Sequence, residues 1–318
     1  MPGLQKHLLT LVRVMKVVGV KDFEAVSPLF RGETGNRLAR FLMHLVAIDK
    51  VNLVYDHSGA YRGAGFASRL LQDVGVHYLV GHAGRLRNLP EGAFITISNH
   101  PYGGLDGIIL VDLLAGLRSD FKLMVNQVLA LVETMKENFI TVSPAGNKKG
   151  AITAASIAGI RETLEWLQNG HPVGFFPSGA VSDLQLPSFR IRDRKWQRSV
   201  INLIKTANVP VLPLRFFDGN SPLFYFLGLI NWRIRLMRMP HEVFNKRDRP
   251  VRLAVGEIIP PEELARFDHP EKAAAFLRRS VYEMPLPPHW TPRSLLNLKS
   301  GPGMAPAAGS GNISHHGS

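Results

Sequence analysis

The sequence predicts an α/β protein with a central, mostly parallel sheet flanked by helices and preceded by N-terminal helices. From residue 93 onward, short apolar runs alternate with helix-patterned stretches, which is the signature of strands joined by helical crossovers. The chain is 45% apolar and 20% charged, a globular composition rather than a disordered one. At 318 residues it is long enough to bury a large core.

Taken in order, residues 4–20 and 36–49 read as two helices. In the second, Leu38, Phe41, Leu42, Leu45 and Val46 recur on one face. Residues 50–88 read as an irregular connector with a further helix at 65–73. Strands are expected at 93–98, 121–125, 139–142, 172–176, 209–216 and 251–255, and helices at 105–117, 127–137, 151–168, 195–206 and 271–283. Right-handed crossovers then build the sheet. No repeat of solenoid period is present. The expected organisation is an N-terminal helical region (1–88), an α/β domain (89–285) and a C-terminal extension (286–318). From about 299 the tail is Gly, Pro, Ala, Ser and His, and is expected to be disordered.

A formal charge of +13 and a pI near 10.2 point to an anionic partner: nucleic acid, a membrane surface or an acidic carrier protein. Without cysteine there is no disulfide scaffold, no thiolate nucleophile and no Cys-based zinc site. The apolar stretch 8–20 is broken by Arg13 and Lys16 and does not read as a signal peptide. No uninterrupted apolar run reaches the ~18–20 residues of a spanning helix, so the chain is expected to lie on a bilayer rather than cross it.

The chemistry-bearing features fall at the ends of expected strands. The strand at 93–98 runs into Asn99-His100-Pro101-Tyr102-Gly103-Gly104-Leu105-Asp106. Ligands in α/β folds bind at the carboxyl ends of strands. A histidine there, with a carboxylate in the first turn of the next helix, can form a general base with an orienting partner. On spacing alone, His100 as a turn residue and Asp106 as a helix cap fit equally well. Phe176-Pro177-Ser178-Gly179 follows another strand; its backbone N–H groups can bind an oxyanion or phosphate, or make an ordinary turn. Ser178 is not in a Gly-x-Ser-x-Gly elbow and is not read as a nucleophile. Val209-Pro210-Val211-Leu212-Pro213 reads as a buried strand near a sheet edge, with Arg215 emerging at its end. Arg190, Arg192, Arg194, Lys195 and Arg198 surround Trp196 and are either a solvated face or a phosphate contact. Leu223-Phe224-Tyr225-Phe226, followed by Trp232, Arg233, Arg235 and Arg238, suits a membrane interface or a core helix with a basic strand.

In this order the motifs resemble the glycerolipid and lysophospholipid acyltransferase superfamily. That family's blocks are Asn-His with an Asp after four residues, a hydrophobic strand followed by arginine, Phe-Pro-Glu-Gly, and Val-Pro-Val-x-Pro. Here Asn99-His100…Asp106, Phe139-Ile140-Thr141-Val142, Phe176-Pro177-Ser178-Gly179 and Val209-Pro210-Val211-Leu212-Pro213 match in order, over roughly residues 90–262. The chain departs from the pattern in three places. Five residues separate His100 from Asp106, Ser178 replaces the glutamate, and the second-block arginine is absent. The first two of these departures resemble a divergent bacterial branch of haemolysin-like or aminolipid acyltransferases carrying His-Pro-x-Gly-Gly-x-Asp-Gly. Phe244-Asn245-Lys246-Arg247 also resembles that branch's C-terminal pattern.

The resemblance implies acyl transfer from acyl carrier protein or coenzyme A to the hydroxyl of a lysolipid in phospholipid or aminolipid metabolism. It implies His100 as general base and Asp106 as its partner. Asn99, Tyr102, Gly103, Gly104, Pro177, Ser178, Gly179 and Arg215 are then substrate-binding candidates, with N–H groups around Ser178 and Gly179 serving an oxyanion. Arg192, Lys195, Phe224, Phe226, Trp232 and Arg233 are candidates for membrane or carrier contact. No metal and no cofactor is implied beyond the acyl-ACP or acyl-CoA co-substrate. The expected location is peripheral, on the cytoplasmic side of the inner membrane, against anionic lipid. Two rivals remain: a basic nucleic-acid-binding protein, which lacks any recognised binding signature here, and a catalytically weak lipid-binding member of the same fold.

Overall fold

A computed structural model describes residues 32–33, 59–126, 132–142, 154–231, 235, 238–247 and 249–298. The two helices expected at 4–20 and 36–49, the tail from about 299, and Trp232 and Arg233 lie outside these residues.

Helix α1 (Gly63–Val74) leads into strand β1 (Tyr78–Gly81) and a 3-10 turn (Ala83–Asn88). Strand β2 (Ile95–Ser98) feeds α2 (Gly104–Leu110), which continues as a wider turn over Val111–Ala115. Then come β3 (Lys122–Asn126), a 3-10 turn (Glu133–Asn138), β4 (Phe139–Val142), α3 (Ala154–Gln168) and β5 (Val173–Phe175). A hairpin of β6 (Asp183–Gln185) and β7 (Arg190–Arg192) precedes α4 (Arg198–Ala207) and β8 (Val211–Phe216). The chain closes with α5 (Pro222–Ile230), α6 (Met239–Phe244), β9 (Val251–Val255), α7 (Pro261–Ala265), α8 (Pro270–Tyr282) and β10 (Trp290–Pro292).

The main sheet has eight strands in the order β10-β1-β9-β8-β2-β5-β3-β4. The ladders are parallel except for β10–β1 and β8–β9. The expected mostly parallel sheet is therefore present. One face packs Phe66 and Leu71 of α1 and Leu105, Ile109 and Leu110 of α2 against the strands. The other face packs Ile201 and Ile204 of α4 and Leu277 and Val281 of α8 against Ile95 and Ile97. Each such fully buried side chain is worth about 1.5–3 kcal/mol relative to exposure.

Several expectations need correction. Residues 50–88 were expected to hold no strand, yet β1 pairs with β9 inside the sheet. The run after Val209 was expected near an edge, yet β8 is interior, between β9 and β2. Proline is tolerated there because Pro213 falls at a break in the β8–β9 ladder. The ladder starts at the Leu214–Val255 pair; beyond it the Pro213 carbonyl still accepts the Gly256 N–H at 2.8 Å, and an isolated Val211–Ile259 bridge follows, so no donor is demanded of the proline nitrogen. Of the helix expected at 127–137, residues 127–131 lie outside the described set, and the remainder is the 3-10 turn ending at Asn138. Residues 195–197 are not helical; α4 starts at Arg198 after an extended Gln197.

Candidate active site

The site grows from the carboxyl end of β2. Asn99 extends the β2–β8 pairing with its side chain. Its Nδ2 donates to the Phe216 carbonyl at 2.8 Å, and the Phe216 N–H donates to its Oδ1 at 2.8 Å. Both amide atoms are thereby used, and Asn99 is a buried clamp that launches His100 off the sheet.

The chain then reverses. Gly103 adopts φ 79° and ψ −124°, a conformation open essentially to glycine alone. A Cβ there would sit 2.7 Å from Met239 Cε of α6. Gly104 is the first residue of α2, faces open space and has an ordinary φ. Only one of the two glycines therefore has a conformational reason to be glycine.

This reversal carries Asp106 back under the histidine. His100 Nδ1 lies 2.9 Å from Asp106 Oδ2, and the Asp106 side chain is wholly buried. The same Oδ2 accepts the N–H of Tyr102 at 2.9 Å and of Gly103 at 3.0 Å. The imidazole edge is not aligned on this oxygen, so the short approach is not a well-formed hydrogen bond. Such bonds commonly tighten only once substrate is bound. Burial raises the Asp106 carboxyl above its ordinary value, while His100 and the two N–H groups pull part of that shift back.

Three further contacts fix the histidine. The Phe176 ring stacks on it at 4.0 Å between centroids. Its carbonyl accepts the Ser182 N–H at 2.9 Å, and its N–H donates to Asp193 Oδ1 at 3.1 Å. Asp193 is itself buried and also accepts the Ser182 hydroxyl at 2.6 Å and the Trp196 indole N–H at 3.1 Å. The His100 side chain keeps 17% exposure, and Nδ1 is buried, so Nε2 is the accessible nitrogen. Sequence reasoning missed Phe176, Ser182 and Asp193 as partners of His100. Asp193 registered only as a break in a basic cluster, although an acid three residues before a tryptophan was a usable signal.

The other expected residues divide. Tyr102 is buried in the core, and burial raises its phenol well above the ordinary value. Pro177 and Ser178 are buried in a turn whose Gly179 N–H donates to the Phe176 carbonyl at 2.9 Å. The Ser178 hydroxyl donates to the Ala180 carbonyl at 2.7 Å. The Gly179 N–H and the Ser178 hydroxyl are therefore engaged within the turn. Arg215 is not at the histidine. Its Nη1 donates to the Met284 carbonyl at 2.7 Å and its guanidinium lies 4.3 Å from the Phe217 ring, on the α8 side of the sheet. Phe224, expected at a membrane, is 0% exposed. It faces inward against Val181, while Leu223, Phe226 and Ile230 occupy the opposite face of α5. Lys195 is exposed and Arg192 half-buried.

Among the described residues no helix is long and apolar enough to cross a membrane. A family model described as acyltransferase matches residues 27–285. A lyso-glycine lipid O-acyltransferase of Phocaeicola vulgatus is 24% identical over 285 residues, covering 87% of this chain and 95% of that protein. A protein of the same description from Bacteroides thetaiotaomicron is 25% identical over 253 residues, covering 77% of this chain and 88% of its own length.

Proposed function

From the premise that the chain belongs to this acyltransferase family, we propose that it transfers a fatty acyl group from a thioester to the hydroxyl of a lysolipid. The observation that carries the reading is His100 held 2.9 Å from a buried carboxylate with Nε2 left accessible. An alcohol is a poor nucleophile until its proton is removed. Nε2 takes that proton as the alcohol oxygen attacks the thioester carbonyl carbon. Asp106 holds the tautomer with the proton on Nδ1 and stabilises the imidazolium. The tetrahedral intermediate then expels the thiolate, which recovers the proton from Nε2. The carbon–sulfur bond breaks, an ester forms, and no acyl-enzyme is needed.

The acceptor we favour is a lyso-aminolipid. Two relatives are described as acting on lyso-glycine lipid, and Ser178, engaged within its own turn, stands where the wider superfamily has glutamate. The reaction is placed at an anionic membrane surface on the cytoplasmic side. Leu186, Phe189 and Ile191 of the β6–β7 hairpin, and Leu223, Phe226 and Ile230 of α5, are exposed apolar residues beside the exposed Arg190 and Arg194. That mixture suits the headgroup boundary. The test is to supply purified protein with acyl carrier protein or coenzyme A thioesters and either a lyso-glycine lipid or lysophosphatidic acid. Diacylated glycine lipid is the expected product. Turnover of lysophosphatidic acid alone would overturn the acceptor assignment.

A further inference from the structure

A second basic feature lies beside the histidine without forming part of it. Between β7 and the carboxyl end of α8 is a cleft of about 210 Å³, lined by Arg192, Arg278, Arg279, Tyr282 and Glu283. Its arginines are organised rather than splayed. Arg192 and Arg278 both lie over the Tyr282 ring, at 5.3 and 4.9 Å from its centroid. Arg278 Nη2 is fixed at 2.8 Å on the Asp193 carbonyl, while its Nε is buried without a hydrogen-bond partner. Among the described residues no carboxylate makes an ion pair with Arg192, Arg278 or Arg279. Glu283 is the single acid lining the cleft. Three guanidiniums against one carboxylate leave an excess of positive charge suited to a phosphate oxyanion, which arginine binds through its planar fork.

The cleft shares a wall with the catalytic centre. Asp193 separates the two: its side chain holds the His100 N–H, and its backbone holds Tyr282 and Arg278. A group bound at the arginines is thus near the reacting atoms but is not one of them. We propose that this cleft binds the phosphate of the phosphopantetheine arm that carries the donor thioester. The proposal rests on the acyltransferase reading above. Acyl carrier protein holds this arm through a phosphodiester and coenzyme A through a diphosphate, so the shared chemistry is an esterified phosphate at the end of a flexible thiol-bearing chain. Binding energy from this remote group would hold the thioester against His100.

The test separates this proposal from the activity itself. Binding of 4′-phosphopantetheine and of pantetheine, which lacks the phosphate, is measured by calorimetry on the full chain, with no turnover required. The phosphorylated compound is expected to bind at least tenfold more tightly, with the difference lost in Arg192→Gln/Arg279→Gln, two changes that leave the Arg278–Asp193 contact in place. Equal binding of the two compounds would overturn the proposal. In steady state the same variant is expected to raise KM for acyl-CoA and for acyl-ACP at least tenfold while leaving KM for the lysolipid within twofold. A rise confined to the lysolipid would instead assign the cleft to the acceptor's anionic headgroup and also overturn it. A rise confined to acyl-CoA would place the nucleotide phosphates, not the arm, in the cleft, and would contradict the proposal equally. Circular dichroism of the variant verifies that it is folded.

Discussion

The backbone N–H of His100 donates to Oδ1 of Asp193 at 3.1 Å, a bond that joins residues 93 positions apart. The histidine is therefore placed by two acids. Asp106 sits under its ring and Asp193 holds its main chain. Asp193→Ala leaves three donors, from His100, Ser182 and Trp196, without their acceptor inside the protein. An unpaired buried donor costs about 1–3 kcal/mol, so this variant is expected to lose several kcal/mol in chemical denaturation. Asp193→Asn retains one acceptor oxygen and is expected to stay folded, with kcat reduced at least tenfold.

The two adjacent glycines are expected to respond in opposite ways. Gly103→Ala forces a side chain into a glycine-only conformation and against Met239, at a cost of about 1–3 kcal/mol. It should also displace Asp106 and lower activity. Gly104→Ala adds a better helix former in open space at the start of α2, and should be neutral or stabilising by a few tenths to about 1 kcal/mol. Thermal melts and turnover of the two variants side by side give the comparison. Equal behaviour would contradict the turn geometry.

Asp106 gives a pH signature with a definite sign. Its folded pKa is raised by burial, so the protonated acid is the form that folding favours. Its contribution to stability is complete below the unfolded value of about 3.9 and is lost as pH rises through the higher folded value. At neutral pH the buried carboxylate is a burden, and Asp106→Asn should melt no lower than the parent, with the difference shrinking toward pH 4. Its activity should nevertheless be lost, because an amide cannot stabilise an imidazolium as a carboxylate does. In the parent, the acid limb of turnover should lie above the ordinary carboxylate range.

Membrane docking is expected to depend on the exposed apolar residues. Phe189, at the hairpin, is 80% exposed with a φ of 49°, and Phe226 is 55% exposed. Phe189→Ser/Phe226→Ser should reduce sedimentation with anionic vesicles at least fivefold. Added salt should weaken the parent's binding by screening its basic charge. Wild-type binding by the double variant would remove the apolar contact from the account.

The sheet strands with strong β-branched patterns, at Ile95–Ser98 and Val211–Phe216, were legible in the sequence, as were the helices that cover them. The short strands Tyr78–Gly81 and Trp290–Pro292 were not, because each is ordered by pairing across large sequence distances rather than by its own periodicity. The His100 and Asp106 pair was legible from spacing and resemblance. The inner support from Asp193 was hidden, because a single acid among arginines reads locally as a solvated charge and only the fold buries it. The aromatic run at α5 was half legible: its composition was right for an interface, but helical geometry turns Phe224 inward and Phe226 outward.

The central claim is that His100 is the general base. The most direct test is turnover of His100→Ala, assayed with an acyl thioester and a lysolipid on protein shown to be folded by circular dichroism. The account predicts a fall in kcat of at least 10²-fold, the lower end of what a positioned base contributes, with thermal stability close to the parent's. A folded His100→Ala protein with parental turnover would contradict it.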